Sequence, residues 1–299
     1  MRVIRLAKNK PLGTAALAVL LAFVLVALLA DVLATQDPLA QEVSRRLEPP
    51  SREHYFGTDG FGRDVLSRVV HGARVSLVVG FFGVGLAAVV GVAIGTASGY
   101  AGGKIDLVLQ RVIDVLLGFP MLVLALIVLV ALGPAPTSVF EAVIYCVSSS
   151  AIALTPQIAR LSRASTLTVR GEGYIEAARA IGAGPLRVVW KHLLPNSFPV
   201  VLAQVTGFFG AAIVLETSLS FLGLGVPPPF PSWGRMLNEG ARRYFEVAPW
   251  ATIFPGLALS AVVLSSALLG DALRDILDPK GDARLLSREP EKKSAERRE

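Results

Sequence analysis

Six long apolar runs, separated by polar or charged stretches, divide the chain. A helix needs about 20 mostly apolar residues to cross roughly 30 Å of hydrocarbon, and each run reaches about that length. The pattern therefore predicts an all-α polytopic membrane protein with six transmembrane helices. The predicted spans are Thr14–Ala34, Val75–Ala97, Leu107–Leu132, Val139–Ala159, Val200–Leu219 and Trp250–Leu269.

Three of these runs admit another interpretation. The first follows a basic N-terminus like a signal peptide, but its about 21 residues exceed the usual 7 to 15 of a signal core, which favours a retained anchor. The third contains Pro120, where we expect a kink, because neighbouring helices can satisfy the carbonyl that a proline frees. The fourth carries Glu141 and three serines, so four or five spans plus buried soluble helices is the alternative count.

Composition and charge fit a membrane protein. Of the 299 residues, 53% are hydrophobic and only 17% are charged, and the charges cluster between the apolar runs, which excludes one soluble domain or a disordered chain. The single cysteine, Cys146, cannot form an internal disulfide. The net charge of +6 resembles a nucleic-acid signal, but the basic residues lie mostly at the ends of apolar runs, which indicates membrane orientation and no nucleic-acid partner.

The distribution of lysine and arginine predicts the topology. The N-terminal segment, 1–13, and the segment Arg160–Pro199 are rich in basic residues and are expected in the cytoplasm. The segment 35–74 then forms an external loop, and both termini are cytoplasmic. Residues 75–279 form a five-helix core, and the charged tail, 280–299, is expected to be disordered.

Five ionisable residues fall within the predicted spans: Asp31 and Glu141 near outer ends, and Arg111, Asp114 and Glu216 further in. Arg111 and Asp114 lie three residues apart on one helix face and can pair. Ionisable groups inside a membrane raise a functional hypothesis, here an ion relay in a secondary transporter. The other interpretation is that each is interfacial or paired between helices. Gly91 and Gly95 form a small-xxx-small face that permits close helix packing.

Motifs for catalysis are absent from the sequence. No phosphate loop, zinc-protease motif or nucleophile elbow is present. The three histidines are far apart in sequence, which makes a shared metal site improbable and leaves no predicted metal ligands. We therefore predict a transport or scaffold protein that is not an enzyme and takes its energy from elsewhere.

The segment between spans four and five has the pattern of a helix, a turn and a second helix. Tyr174–Ile181 consists of good helix formers, and Gly182–Gly184 breaks this helix. Pro185 can open a second helix at its first turn, and Pro195 is expected to end it. Small residues on one surface suggest a docking element, and a charged loop that happens to be helical is the alternative.

This segment resembles the EAA loop, 172–196, found in permease subunits of binding-protein-dependent ABC importers. The residues that carry the resemblance are Glu176-Ala177-Ala178, then Gly182, then Leu194-Pro195. The spacing matches the family pattern, except that His192 occupies a position where the family has isoleucine. Other segments, among them His54–Asp64 and Ser232–Gly234, are similar to the C-type permease of dipeptide and oligopeptide importers, and the similarity covers almost the whole chain.

The resemblance implies a type I ABC importer fold with a cytoplasmic coupling helix, in a bacterial inner membrane. The chain would form half of a pathway for peptides or a related solute such as nickel, glutathione or a sugar. It implies as partners a second related permease, two ATPase subunits that bind ATP and magnesium, and an external solute-binding protein; this chain itself would bind no cofactor.

The resemblance also implies two groups of site residues. The ATPase-coupling group is Glu176, Ala177, Ala178, Gly182, Gly184, Leu194 and Pro195. The group near the binding protein or an outer gate is Gly57, Thr58, Asp59, Gly62, Arg63, Asp64, Ser232, Trp233 and Gly234. Glu176 either accepts hydrogen bonds from its own helix start or pairs with a basic ATPase residue. Asp59, Arg63 and Asp64 can also cross-link their own loop.

Overall fold

The computed structural model describes residues 10–277 and folds them into eleven α-helices. These are α1 Pro11–Leu28, α2 Ala30–Leu33, α3 Val65–Ala101, α4 Gly103–Leu117, α5 Met121–Leu132, α6 Val139–Arg170, α7 Gly173–Ala180, α8 Pro185–Val188, α9 Leu194–Phe221, α10 Trp233–Arg243 and α11 Trp250–Leu277. The predicted all-α class is confirmed for this part of the chain. The predicted disordered tail and most of the N-terminal segment 1–13 lie outside the described residues.

Five helical segments are long and apolar enough to cross a membrane, and a sixth results if α4 and α5 count as one span. The five are α1, α3, α6, the segment Pro185–Phe221 and α11. The predicted spans therefore all correspond to helices. Three helices extend well beyond the predicted spans: α3 begins at Val65 rather than Val75, α6 continues to Arg170 beyond Ala159, and α11 continues to Leu277 beyond Leu269. Hydropathy marks only the apolar part of a helix, so it misses polar turns that extend beyond the bilayer.

The third predicted span is broken where a kink was expected. Helices α4 and α5 meet at 97° around Gly118–Pro120. Proline has no N–H to continue the helical bonding, and it disfavours helical geometry at the preceding residue, Phe119. Helix α5 has 12 residues, about 18 Å at 1.5 Å per residue, which is too short to cross the hydrocarbon alone. The prediction of one kinked helix was wrong in this respect.

Helices α3 and α6 pack closely through glycines, as the small-xxx-small pattern predicted. A Cβ atom on Gly95 would lie 2.3 Å from the carbonyl oxygen of Ala159, and one on Gly91 would lie 2.9 Å from the Cβ atom of Ile158. Neither distance is compatible with a side chain. The absence of a side chain at both positions lets the two longest helices approach each other directly.

The remaining helices complete two apolar clusters around this pair. One cluster joins α3, α5, α6 and α9, with Leu154 and Leu219 at its centre. The other joins α1, α3, α9, α10 and α11 around Trp233 and Val262. The first residues of α1 and the last of α11 lie side by side, where Lys10 Nζ contacts Asp275 Oδ2 at 2.6 Å. Both ends of the described chain are therefore at the same end of the bundle.

The predicted external segment, 35–74, is part loop and part helix. Its last ten residues form the start of α3, and Arg74 there binds Asp31 with its Nη1 and Nη2 atoms at 2.9 and 2.8 Å. The N-cap of α3 is Asp64, whose Oδ2 accepts a hydrogen bond from the Ser67 N–H at 2.8 Å. This cap explains why α3 begins ten residues before its apolar run.

Candidate functional site

The segment between α6 and α9 forms the helix, turn and helix that the sequence predicted. Helix α7 ends in a Schellman motif, in which the Ala183 N–H donates to the Ala178 carbonyl at 3.0 Å and the Gly182 N–H donates to the Arg179 carbonyl at 2.9 Å. Gly182 has a φ of +86°, a left-handed conformation that glycine adopts without strain. Gly184 follows as the N-cap of α8, and Pro185 occupies the first turn.

The second helix of this segment continues into the membrane, contrary to the prediction that Pro195 ends it. A π-helical turn at Val189–Leu193 joins α8 to α9, so that Pro185–Phe221 is one helical segment of 37 residues. Pro195 stands in the first turn of α9, where its missing N–H is tolerated. Side chains bind carbonyls of the π turn: Asn196 Nδ2 donates to the His192 oxygen at 2.6 Å and Ser197 Oγ to the Leu193 oxygen at 2.9 Å.

One face of this segment is anchored to the bundle. Ile175, Val188 and Leu193 are fully buried and pack against Tyr100 and Val169, at the ends of α3 and α6. The guanidinium of Arg179 also lies over the Tyr100 ring, 5.3 Å from its centre. We call this end of the molecule the coupling end. The segment is therefore in direct contact with the ends of both long helices.

The other face is exposed and apolar. Ile181, Leu186 and Trp190 are 87, 76 and 69% exposed, and we call these three side chains the docking ridge. Sequence analysis missed them. The available signal was that Leu186 and Trp190 are four residues apart, on one helix face, in a segment assigned outside the bilayer. Because the sequence predicts this segment outside the bilayer, large apolar side chains exposed on it indicate a surface for a partner protein.

The predicted coupling residues lie around the docking ridge. Glu176, Ala177, Gly182, Gly184 and Pro195 are exposed, whereas Leu194 is partly buried and Ala178 is buried against the bundle. Within residues 10–277, no side chain or backbone group donates a hydrogen bond to the Glu176 carboxylate, and the N-cap of α7 makes no side-chain hydrogen bond. Glu176 is exposed, and the predicted hydrogen bonds to its own helix start are not formed among these residues.

The predicted outer residues come together at the opposite end, but their side chains point inward. Arg63 Nε binds Asp59 Oδ2 and Arg63 Nη2 binds Glu239 Oε2, both at 2.6 Å, which ties the loop to α10. Asp64 Oδ1 lies 3.0 Å from His54 Nδ1, and both groups are buried. These contacts confirm that the three charged residues cross-link the loop. Direct contact with a binding protein through these side chains would require the loop to open.

The remaining outer residues fix turns and helix contacts. Gly57 and Gly62 have φ values of +71° and +75°, and Thr58 Oγ1 accepts a hydrogen bond from the Glu48 N–H at 2.8 Å. Trp233 is buried, and its Nε1 donates to the Val69 carbonyl at 3.0 Å. Ser232 and Gly234 lie at the start of α10, where Ser232 is the N-cap. A Cβ atom on Gly234 would lie 2.2 Å from the Thr217 carbonyl oxygen, so only glycine fits there.

The same loop also contains an exposed ion pair. The Arg45 guanidinium donates a hydrogen bond to the Glu53 carboxylate, and this bond lowers the pKa of Glu53 from its ordinary value. Both side chains remain accessible to water, so the pair contributes little to stability. The buried contacts of Arg63 and Asp64 therefore hold the loop in place.

The ionisable residues of the predicted spans are paired between helices or exposed. Glu216 is fully buried and accepts hydrogen bonds from Ser76 Oγ on α3 at 2.8 Å and Ser220 Oγ at 2.7 Å. The predicted pairing of Arg111 with Asp114 is wrong: Asp114 instead lies 3.4 Å from Arg160 on α6. Both residues of the predicted pair are on the exposed face of α4. Among residues 10–277, no cluster of three or more acidic, histidine or cysteine side chains is arranged to hold a metal ion.

Two solved structures with a similar fold are chains of ABC transporters. The bundle matches a chain of the MetNI methionine ABC transporter in an inward-facing conformation, with a TM-score of 0.57 and 19% identity over 70% of this chain and 96% of that chain. It also matches an amino acid ABC transporter, with a TM-score of 0.53 and 20% identity over 69% of this chain and 92% of that chain. The protein therefore has the fold of a type I ABC importer permease, a multi-pass membrane protein.

The sequence comparisons give the family. Residues 91–281 match the model of the binding-protein-dependent transport system inner membrane component, and residues 2–50 match the N-terminal transmembrane domain of oligopeptide transport permease C. The chain belongs to the binding-protein-dependent transport system inner membrane component family.

Relatives in that family are similar over most of their length. The dipeptide transport system permease protein DppC of Alkalihalophilus pseudofirmus is 41% identical over 92% of this chain and 88% of its own length. The probable D,D-dipeptide transport system permease protein DdpC of Escherichia coli is 36% identical over 93% of this chain and 91% of its own length. The glutathione transport system permease protein GsiD of Pectobacterium atrosepticum is 41% identical over 80% of this chain and 77% of its own length. These findings support a permease and not an ion-coupled secondary transporter.

Proposed function

We propose that the chain forms half of the translocation pathway of an ATP-driven importer for di- or oligopeptides. Two relatives named above are dipeptide permeases, which supports peptides as the substrate class. The observation that carries the mechanism is the exposed apolar docking ridge, which stands on a helical segment continuous with a transmembrane helix. A force applied to the ridge by a partner is transmitted along α9 into the membrane.

The partners follow from this arrangement. Two ATPase subunits bind ATP and magnesium, and one of them holds the docking ridge of this chain. A second related permease forms the other half of the pathway. A solute-binding protein on the external side delivers the peptide. Both termini and the coupling end face the cytoplasm. The excess of basic residues in Arg160–Pro199 supports this orientation, as does the contact of Lys10 with Asp275, since α1 begins where α11 ends.

Closure of the ATPases drives alternating access in this proposal. The coupling segment, residues 171–193 between α6 and α9, is anchored on Tyr100 and Val169, so its displacement moves α3 and α6 as well as α9. Close packing at Gly91 and Gly95 makes α3 and α6 move together. Packed interfaces of this kind have discrete arrangements, which suits an inward-open and an outward-open state.

Uptake by the purified importer tests the function. The complete assembly in proteoliposomes, with a mixture of di- to pentapeptides outside and ATP inside, is expected to accumulate peptides that mass spectrometry identifies in the lumen. Uptake should survive collapse of the proton gradient and stop without ATP. Accumulation that depends on the proton gradient would contradict the proposal, and accumulation of glutathione alone would reassign the substrate.

Charge reversal at Glu176 is expected to impair coupling. Glu176→Lys places a cation where an exposed carboxylate meets a basic ATPase surface, and it should lower ATP-dependent uptake by about 10- to 100-fold, since loss of a charged partner at an interface costs roughly 2 kcal/mol or more. Membrane insertion should be unchanged because the side chain is exposed. Glu172→Lys, the same reversal one turn earlier, is the control, and equal losses from both variants would contradict a specific contact at Glu176.

A further inference from the structure

A cluster of polar side chains joins three helices at the coupling end. The Asp106 carboxylate on α4 accepts two hydrogen bonds from Arg163 on α6: Nε to Oδ1 and Nη2 to Oδ2, both at 2.6 Å. Ser98 Oγ on α3 donates to the same carboxylate, and Gln110 Nε2 donates to Ser98 Oγ at 2.9 Å. Paired charge-assisted bonds to a planar guanidinium are both strong and directional. We call these four residues the Asp106 clamp.

The clamp lies on the stem of the coupling segment, which we define as the adjoining last turns of α3 and α6, residues 95–101 and 163–170. Arg163 is beside the closest approach of α3 and α6, where a Cβ atom on Gly95 would lie 2.8 Å from the Arg163 nitrogen. Two turns further, Arg170 Nη1 donates to the Gly99 carbonyl at 3.1 Å, and α6 then passes into the coupling segment. Displacement of the segment is therefore expected to move Arg163.

Apart from the clamp, the apolar contacts of α4 lie towards its end, where Leu116 packs against the apolar cluster of α3, α5, α6 and α9. Ile113 is the one residue of α4 with a buried side chain. Gly102 and Gly103, which connect α4 to α3, have φ values of +66° and +54°, so the two helices do not form one continuous rod. The second ion pair to α6, between Asp114 and Arg160, is 3.4 Å long and exposed on both sides. The clamp is thus the main rigid tie between α4 and the stem.

Resting on the proposed function, we propose that the Asp106 clamp is a positioning contact that makes the bent pair α4–α5 follow the coupling segment during transport. Helix α5 packs into the apolar cluster shared with α6 and α9, through Leu124 and Leu129. Rotation of α4 at the stem therefore reaches the middle of the bundle through the 97° bend. Without the clamp, the ATPases still move α6 and α9, but α4, and with it the end of α5 at the bend, lags behind.

The test is the number of peptides imported per ATP hydrolysed by the reconstituted complex. Asp106→Asn and Arg163→Gln should each lower this ratio by about 5- to 100-fold, the usual range of a coupling between two sites. ATP hydrolysis itself should stay near the wild-type rate, because the docking ridge is intact. The double variant should be no worse than either single variant, since both remove one contact. If the complex with Asp106→Asn does not assemble, Arg163→Lys replaces it in the test. Lysine keeps the positive charge but cannot donate the two parallel hydrogen bonds of the guanidinium.

Asp275→Asn is the matched control, because it removes the ion pair between Lys10 and Asp275 at the same end of the bundle without touching α4. Its ratio should equal that of the wild type. An unchanged ratio in the clamp variants, or losses that multiply in the double variant, would overturn the proposal. A wild-type complex that hydrolyses ATP without importing peptides would instead contradict the proposed function, and the two failures are therefore distinguishable.

Discussion

Replacing Leu186 and Trp190 together by aspartate is expected to abolish capture of the ATPase subunits and, with it, ATP-driven uptake. Both side chains are more than two-thirds exposed at the tip of the coupling segment, so the substitution removes apolar contacts with a partner and leaves the chain's own core intact. A central apolar anchor of an interface is worth about 2 kcal/mol or more, roughly a 30-fold change in affinity. The two changes should together weaken capture by at least about 100-fold.

Co-purification of ATPase subunits with the affinity-tagged permease in mild detergent measures this effect. Phe245→Asp combined with Val247→Asp is the control, because it makes the same change at two exposed apolar residues of the loop between α10 and α11, at the opposite end of the molecule. This control should retain the ATPases in full. Normal ATPase capture by the Leu186 and Trp190 variant would show that the docking ridge is not the attachment surface.

Replacing Gly95 by leucine is expected to disrupt the packing of α3 against α6. A Cβ atom at this position would lie 2.3 Å from the Ala159 carbonyl oxygen and 2.7 Å from the Ser162 Cβ atom. Two of its nearest neighbours, the Ala159 oxygen and the Arg163 nitrogen, are backbone atoms, so the helices must separate. Overpacking typically costs 1 to 3 kcal/mol, and a clash with backbone belongs at or above about 3 kcal/mol. The melting temperature of the purified complex should fall by roughly 6 °C or more.

Gly85→Leu is the control for this substitution. Gly85 lies on the same helix, is exposed, and has no atom within 4 Å of a Cβ position, so leucine there adds an apolar side chain without a clash. Its melting temperature should match that of the wild type. Equal destabilisation by both variants would mean that leucine harms α3 through its helix geometry, and the close contact between α3 and α6 would not be the cause.

Much of the membrane architecture could be predicted from the sequence, because lipid imposes a simple rule on length and polarity. The six apolar runs and the small face at Gly91 and Gly95 followed from pattern alone. The extension of α3 back to Val65 could not be predicted from the pattern, because a helix that packs on protein outside the bilayer needs no apolar run. The bend at Pro120 was located correctly, but its angle depends on how α5 packs against α6.

The candidate site divides in the same way. The helix at Glu176 and its break at Gly182 could be predicted, because capping chemistry is local. The continuation of the second helix through Pro195 could not, because it depends on a π turn whose carbonyls are bound by Asn196 and Ser197. Asp114 was paired with its neighbour Arg111 by spacing, whereas the fold brings Arg160 of another helix closer.

The sequence by itself determined the class of protein, the number of apolar runs, the distribution of charge and the position of the coupling segment, since all of these depend on residue types and spacings along one segment. Only the tertiary structure decided which face of that segment is free, which polar groups meet across helices, and that Arg63 and Asp64 of the outer loop are buried. Those features depend on contacts between residues distant in the chain. Arg163 and Asp106, 57 positions apart, share two hydrogen bonds that no pattern within either helix specifies.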